Sequence, residues 1–450
     1  MREYSGLLTD LYELTMAAGY LQTGFDARAT FELFARHLPP KRNYLVAAGL
    51  EQALEFLENV SFTAGEIGFL RKHILFSRIS PKFFDYLAGF RFTGDAWAVP
   101  EGTLVFPGEP LLRIIGPIAE GQILETYLLA TLGYETTVAS KAARIVTAAQ
   151  GRQVVDFGAR RAHGGAASLL SARASVIGGC LGTSNTLAAQ MFGLGAYGTQ
   201  AHSWVMAHDD EADAFNQFLD TFPDGAVLLV DTYNVRNAVK KIIASGRKPA
   251  GIRLDSGDLT ADSKWARRAL DRAGWKDVQI FASGDLDEYR IAECLRKGAA
   301  LDSFGVGTAL STPGDAPHLS LIYKLVEVDR GGKIREAAKF SRAKATYPGR
   351  KQVFRHISKK GEFAGDTIAL ADEPPDGGQP LLIEVMRGGR RVGPAEPVSA
   401  LRERCMAGLA HLPEKYRQIN KAAVYPVRYT KGLTAMRDAV KKRVRRFAVK

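Results

Sequence analysis

Val227-Leu228-Leu229-Val230-Asp231, Ile252-Arg253-Leu254-Asp255, Val278-Gln279-Ile280-Phe281 before Ser283-Gly284-Asp285, and Phe304-Gly305-Val306 before Gly307-Thr308 repeat one phrase. In each, a short apolar run ends in an acidic or small polar residue. Between the runs stand segments of helical period, Val235–Ala244, Ser263–Ala273 and Asp287–Arg296. A buried strand followed by an amphipathic helix, taken repeatedly, is the pattern of a parallel sheet wrapped by helices. The same reading extends upstream: Val154-Val155 leads to Asp156, Val176-Ile177 to Gly182-Thr183, and Ala196-Tyr197 to Gly198-Thr199, with a helix over Asp210–Leu219. The count is about seven units, one short of the eight-stranded barrel, and predicts an irregular parallel β/α barrel. In such folds ligands bind at the carboxyl ends of the strands, where these polar and glycine residues gather.

The flanks read differently. Before the barrel, Asp10–Tyr20 has helical period and Ala29–Phe34 is strand-like, while Thr103–Phe106 and Leu111–Ile115 flank Pro107-Gly108-Glu109-Pro110 as a hairpin would. Glu120–Gln150 reads as helix. After the barrel, Leu321–Val328 and Lys333–Lys339 surround the turn residues Asp329-Arg330-Gly331-Gly332. The expected organisation is an N-terminal α+β domain over 1–120, a catalytic barrel over 121–320, and a segment over 321–450 that returns to the N-terminal domain and closes with a basic helical tail.

Length and composition bound the function classes. A chain of 450 residues, 46% apolar and 24% charged, is long enough for two or three folded units with an ordinary core. No apolar run approaches the ~20 residues needed to cross a bilayer, and Met1-Arg2-Glu3-Tyr4-Ser5 lacks the profile of a secretory leader. Cys180, Cys294 and Cys405 are odd in number, far apart and without a CxxC pair, so a reducing cytoplasm is expected and a cysteine zinc site is not. The net charge of +12 includes the run Lys441-Lys442-Arg443-Val444-Arg445-Arg446. Nucleic-acid binding would want aromatics interleaved with the cations or a reader fold, and neither is present. A solvated basic helix face accounts for the run, and the diffuse positive charge suits small phosphorylated ligands.

Each motif has a plain alternative beside its chemical one. Gly193-Leu194-Gly195-Ala196-Tyr197-Gly198 matches GxGxxG, but it follows a helical segment and leads into a strand, the reverse of a dinucleotide site. It reads as a helix C-cap and turn. Asp255-Ser256-Gly257-Asp258 places acids at a strand end, where they can hold a magnesium-bound pyrophosphate or ribose hydroxyls; Asp258 serves equally as a helix N-cap. Gly305, Gly307 and Thr308 supply backbone N–H groups and a hydroxyl for a phosphate cradle, or merely a turn. Arg160-Arg161-Ala162-His163 follows strand-end Asp156 and offers guanidinium forks, or a solvated loop. His202, just past a strand end in Gly198-Thr199-Gln200-Ala201-His202-Ser203-Trp204, can act as a base or a phosphoryl acceptor, with Asp231 placed to orient its ring.

Taken in order, the motifs carry a family resemblance. Leu8-Thr9-Asp10-Leu11-Tyr12-Glu13-Leu14-Thr15-Met16, Tyr44-Leu45-Val46-Ala47-Ala48-Gly49-Leu50, Asp156-Phe157-Gly158-Ala159-Arg160-Arg161, the His202 stretch, Arg253-Leu254-Asp255-Ser256-Gly257-Asp258 and Tyr323-Lys324-Leu325-Val326 resemble the nicotinate phosphoribosyltransferases, type II phosphoribosyltransferases, over the chain to about Arg355. The resemblance implies formation of nicotinate mononucleotide and pyrophosphate from nicotinate and phosphoribosyl pyrophosphate (PRPP), coupled to ATP hydrolysis, in NAD biosynthesis. It implies that ATP phosphorylates His202 and that Asp231 orients it. Tyr12, from a partner subunit of a homodimer, and Phe157 would sandwich the pyridine ring; Arg253 would meet its carboxylate, with Thr199 beside it. Arg160, Asp255, Gly284, Asp285, Gly305, Gly307 and Thr308 would hold PRPP, with Asp255 and Asp285 on magnesium. Where related nicotinamide enzymes carry an aspartate, this chain has Ser184, which favours the acid over the amide. The alternatives are a nicotinamide or quinolinate phosphoribosyltransferase and, in another class, a non-catalytic polyanion binder.

Overall fold

The computed structural model describes residues 4–340, 345–374 and 377–448; the first three residues of the stretch read for a leader lie outside them. Contacts divide the chain into two units. One comprises Met1–Thr137, His318–Glu396 and Ala407–Lys450, the other Val138–Pro317 and Pro397–Met406.

The second unit holds seven parallel strands: β1 (Gln153–Asp156), β2 (Gly182–Thr183), β3 (Gly195–Ala196), β4 (Val227–Leu229), β5 (Gly251–Leu254), β6 (Gln279–Ala282) and β7 (Ser303–Val306). Their order, β3-β2-β1-β7-β6-β5-β4, is that of a barrel opened between β3 and β4. Every named pairing is parallel, and the registers align the strand ends: Asp156 stands opposite both Thr183 and Val306, and Leu254 opposite Ala282. The residues following each strand therefore emerge at one edge. Val154, Val155, Leu228, Leu229, Ile252, Leu254, Ile280, Phe304 and Val306 are buried, as strands covered on both faces require.

The connecting helices form for local reasons. In Val235–Ala244 the buried residues Ala238, Val239 and Ile242 make one stripe, and Asn234 caps the first turn by accepting from Asn237 N. Asp258 caps Leu259–Arg272, its carboxylate accepting from Thr260 N and Ala261 N at 3.0 Å each. That resolves Asp258 as a cap. Gly193 ends helix Thr186–Phe192 at φ 64°, the expected C-cap role of the GxGxxG stretch. Val176-Ile177, read as a strand, instead completes the helix Gly165–Ile177. Two apolar residues after a run of Ala and Ser do not distinguish the periods, and the true strand is only Gly182–Thr183.

The first unit is built from both ends of the chain. Its larger sheet centres on Arg28–Ala35, which pairs antiparallel with Pro110–Pro117 on one side and Leu321–Arg330 on the other. Leu321–Arg330 and Lys333–Glu336 form the expected hairpin, closed where Arg330 faces Lys333. The other expected hairpin does not form. Leu104–Val105 pairs with Leu45–Val46, while Pro110–Pro117 joins the large sheet. The intervening turn is closed by a side chain instead of a ladder: buried Glu109 accepts from Phe106 N at 2.8 Å. A four-stranded sheet (Gln379–Pro380, Lys351–Ile357, Phe363–Leu370, Val427–Tyr429) and the basic helix Lys431–Ala448, anchored by buried Leu433 and Val440, complete the unit. Among the described residues, no helix is long and apolar enough to cross a membrane.

Candidate active site

Arg253 is the centre of the strand-end cluster. It sits near the end of β5 with only 9% of its surface exposed, so its guanidinium must find partners within the protein. It does so on all three nitrogens. Nε donates to Ser283 Oγ at 2.8 Å, Nη1 to Thr199 Oγ1 at 2.7 Å, and Nη2 to Asp255 Oδ1 at 2.7 Å. Its Cζ lies 5.4 Å from the centroid of the Phe157 ring. The end of β5 and the residues following β1, β3 and β6 therefore meet at one cation. Thr199, Phe157, Arg253 and Asp255, chosen from scattered motifs, are brought together; Ser283 was not chosen, although its place between β6 and Gly284 marked it.

Asp255 links this cluster to the histidine. Its Oδ1 also accepts from Ser283 Oγ at 2.5 Å, and its Oδ2 stands 3.7 Å from His202 Nε2. Burial works to raise the Asp255 carboxyl, but the Ser283 hydrogen bond and the bond and charge of Arg253 outweigh it and hold it below the ordinary carboxylate range. The anion is thus secured beside the imidazole.

His202 opens the short helix His202–Met206, with 41% of its side chain exposed. Its ring is therefore open to solvent. Its Nδ1 lies 3.1 Å from Thr232 Oγ1. The residue expected at that nitrogen, Asp231, is committed elsewhere: its Oδ2 accepts from Asp255 N at 3.1 Å and from Ser256 Oγ at 2.5 Å, and its buried Oδ1 has no hydrogen-bond partner among the described residues. The two residues are adjacent after β4, and the local turn presents the hydroxyl to the ring and the carboxylate to the loop after β5. Asp231 thus bonds to the loop that carries Asp255, and Thr232 stands at the ring nitrogen.

The glycines pack loop against loop. A Cβ on Gly284 (φ 88°) would fall 1.8 Å from Asp255 O, and one on Gly305 2.7 Å from the Phe157 ring. Asp285 follows in the left-handed region at φ 47°, exposed. This is a conformation that Asp tolerates better than most residues and one concentrated at functional turns. Thr308 begins the turn Thr308–Ser311 and is exposed, as is Arg160 in the turn Ala159–Arg161. Beneath Phe157, fully buried Asp156 accepts from Gly158 N and Thr183 Oγ1, both at 2.8 Å. Burial pushes its carboxyl up to about 6 despite both bonds.

Tyr12 belongs to the other unit, on helix Leu11–Gln22, where it is 47% exposed in company with exposed Leu8, Leu11 and Met16. For a divalent cation, no group of three or more His, Cys, Asp or Glu side chains converges among the described residues. Oδ1 of Asp255 is already engaged by Arg253 and Ser283, which leaves its Oδ2 and the exposed carboxylate of Asp285. A magnesium ion there would need phosphate and water oxygens of its own, since the protein forms no all-protein cage among the described residues.

This arrangement sets a buried guanidinium near an aromatic ring, an accessible imidazole, and glycine turns at the strand ends. Family models match most of the chain. The N-terminal domain of nicotinate phosphoribosyltransferase (NAPRTase) matches residues 7–133, the NAPRTase family 152–363, and the C-terminal domain 378–437. Nicotinate phosphoribosyltransferase pncB2 of Mycobacterium tuberculosis is 45% identical over 436 residues, 95% of this chain and 92% of that one. The Mus musculus nicotinate phosphoribosyltransferase is 31% identical, covering 97% of each chain. The crystal structure of human nicotinic acid phosphoribosyltransferase superposes with a TM-score of 0.84 at 28% identity, over 96% of this chain and 99% of that one. The chain belongs to the nicotinate phosphoribosyltransferase family.

Proposed function

We propose that this protein joins nicotinate to PRPP, yielding nicotinate mononucleotide and pyrophosphate in NAD biosynthesis, and that ATP drives the reaction through a phosphohistidine at His202. The observation that carries the reading is Arg253, held by Thr199, Ser283 and Asp255 with its guanidinium toward the Phe157 ring. A flat aromatic acid fits such a place, with its carboxylate on the cation and its ring on the aromatic face.

In the transfer, the pyridine nitrogen's lone pair forms the bond to ribose C1 as the C1–O bond to pyrophosphate breaks. No proton moves. The demand is for stabilising the leaving group's charge, which backbone N–H groups at the Gly284–Asp285 and Gly305–Thr308 turns and Arg160 would meet. Magnesium, held by Asp285 and Asp255 Oδ2, would neutralise pyrophosphate charge. In the ATP half-reaction, an imidazole nitrogen forms a bond to the γ-phosphorus as the bond to ADP breaks; water later releases phosphate. A phosphoryl group on His202 sets strong negative charge near Asp255, which anchors Arg253, so the charge state of the histidine would be felt at the carboxylate site.

Exposed Leu8, Leu11, Tyr12 and Met16 on one N-terminal segment support a homodimer in which Tyr12 of the partner subunit closes over the pyridine ring. The three free, buried cysteines suit a reducing cytoplasm. Ser184, whose backbone N donates to Asp156 O at 2.8 Å, puts no anion at the end of β2, so the acid is favoured over nicotinamide.

The deciding experiment incubates the protein with γ-labelled ATP. An acid-labile phosphoryl label is expected, and His202→Ala should abolish both the label and ATP stimulation of turnover. A label that persists in that variant would refute the assignment. Competition among nicotinate, nicotinamide and quinolinate should favour nicotinate; preference for either other base would overturn the substrate.

A further inference from the structure

Lys141 and Arg144, one turn apart on helix Glu125–Ala148, are buried in the barrel unit, each with a side chain only 4% exposed. No step of the proposed chemistry uses them. Both meet the fully buried carboxylate of Glu288: Lys141 Nζ lies 2.6 Å from Oε2, and Arg144 Nε donates to Oε1 at 3.0 Å. Two cations on one carboxylate would leave a buried positive charge, which is costly. Lys141 Nζ also donates to Asp315 Oδ1 at 2.9 Å, which balances the group. Burial acts to raise the Glu288 carboxyl, yet the charges of Lys141 and Arg144 hold it below its ordinary range.

What this network connects is informative. Glu288 is the first residue of helix Glu288–Arg296, just beyond the turn in which Gly284 touches the Asp255 carbonyl and Asp285 adopts a left-handed backbone. Asp315 lies just beyond the turn Thr308–Ser311 that follows β7. Lys141 thus contacts a residue just beyond each turn, Glu288 after one and Asp315 after the other.

We propose that Lys141 is a positioning residue: its ammonium joins Glu288 to Asp315 and thereby sets the spacing between the two strand-end turns that grip the phosphates of PRPP. The inference rests on the phosphoribosyltransferase reading above. A clamp behind a binding turn acts through geometry, and small displacements there change affinity for the ligand it frames.

The test compares wild type with Lys141→Met, Lys141→Arg and Asp315→Asn. Steady-state kinetics are run with each substrate varied, and amide hydrogen exchange is followed over 283–288 and 305–315. Lys141→Met should raise KM for PRPP about tenfold and Asp315→Asn about threefold, with KM for nicotinate and kcat within about twofold. Exchange should quicken in both turns, and Lys141→Arg should keep near-normal values. Should Lys141→Met fail to fold, Asp315→Asn carries the test, because that carboxylate is partly exposed. An unmoved KM for PRPP, or equal losses in every parameter without faster exchange, overturns the proposal. Wild-type protein that turns over no PRPP would sink the functional reading together with this inference; wild-type turnover with an unmoved KM sinks this inference alone.

Discussion

Arg253 and Asp156 show what single residues contribute at the strand ends. Arg253 uses its planar fork on three separate acceptors, a geometry that lysine cannot reproduce. On the proposed function, Arg253→Lys should lower kcat/KM for nicotinate at least about tenfold, since each charge-assisted bond lost is worth roughly 1.5–3 kcal/mol. Kinetics with nicotinate varied, alongside a thermal midpoint, would check this; an unchanged KM for nicotinate would remove Arg253 from the carboxylate site. Asp156 makes a prediction about pH. Its folded-state pKa is raised to about 6, so the folded chain holds a proton that the unfolded chain has released. Stability contributed by the neutral form is therefore lost as pH rises from about 4 to about 6, by about 3 kcal/mol in all. Asp156→Asn keeps an acceptor for Gly158 N and turns a donor toward Thr183 Oγ1. It should flatten the dependence of the melting temperature on pH across that window, which thermal unfolding of both proteins would show. The identity of most of these residues was legible in the sequence, because an acid or glycine after an apolar run stands out. Thr232 in place of Asp231 at the imidazole was not, since adjacent residues past a strand end are sorted only by the local turn.

At the scale of the element, the loops after the strands are where sequence and structure agree least about cause. The resemblance assigns Gly284 to PRPP; what its missing side chain admits in the fold is the Asp255 carbonyl of the neighbouring loop. Gly284→Ala should destabilise the protein by at least about 2 kcal/mol, from the left-handed backbone and the backbone contact together. Denaturant unfolding would measure it, and a neutral effect would mean the two loops are not packed as described. The capping of helix Glu288–Arg296 is a milder case: Asp287 accepts from Tyr289 N at 2.9 Å and Arg290 N at 2.8 Å. Removing it in Asp287→Ala should cost about 1 kcal/mol. Helices with a clear apolar stripe, such as Val235–Ala244, were legible end to end. The two-residue strands β2 and β3 carry too few side chains to show a period, and they exist because their neighbours supply hydrogen-bond partners.

Over the whole molecule, the first unit depends on joining distant parts of the chain. Lys351 Nζ lies 2.8 Å from Glu32 Oε2, with both side chains essentially buried, and Lys351 N donates to Glu32 Oε1 at 2.8 Å. Burial pulls the Lys351 ammonium below its ordinary range, and the Glu32 charge opposes that pull. Lys351→Met would strand a buried carboxylate and should cost about 3–5 kcal/mol, much of which Glu32→Gln should restore in the double variant. Thermal unfolding of the single and double variants would test the coupling; equal midpoints would show that the pair is not stabilising. Such a contact could not be read from a linear pattern, and neither could the separate sheets taken by Leu104–Val105 and Pro110–Pro117. What the sequence by itself determined is the repeated strand and helix, the polar strand ends, and hence a parallel barrel with those ends at one edge. These are consequences of local periodicity, which each segment carries alone. Which hydroxyl meets His202, which carbonyl fills the space at Gly284, and which carboxylates Lys141 joins were decided only by tertiary structure. Each depends on backbones remote in sequence arriving within hydrogen-bonding distance, and no single segment encodes that.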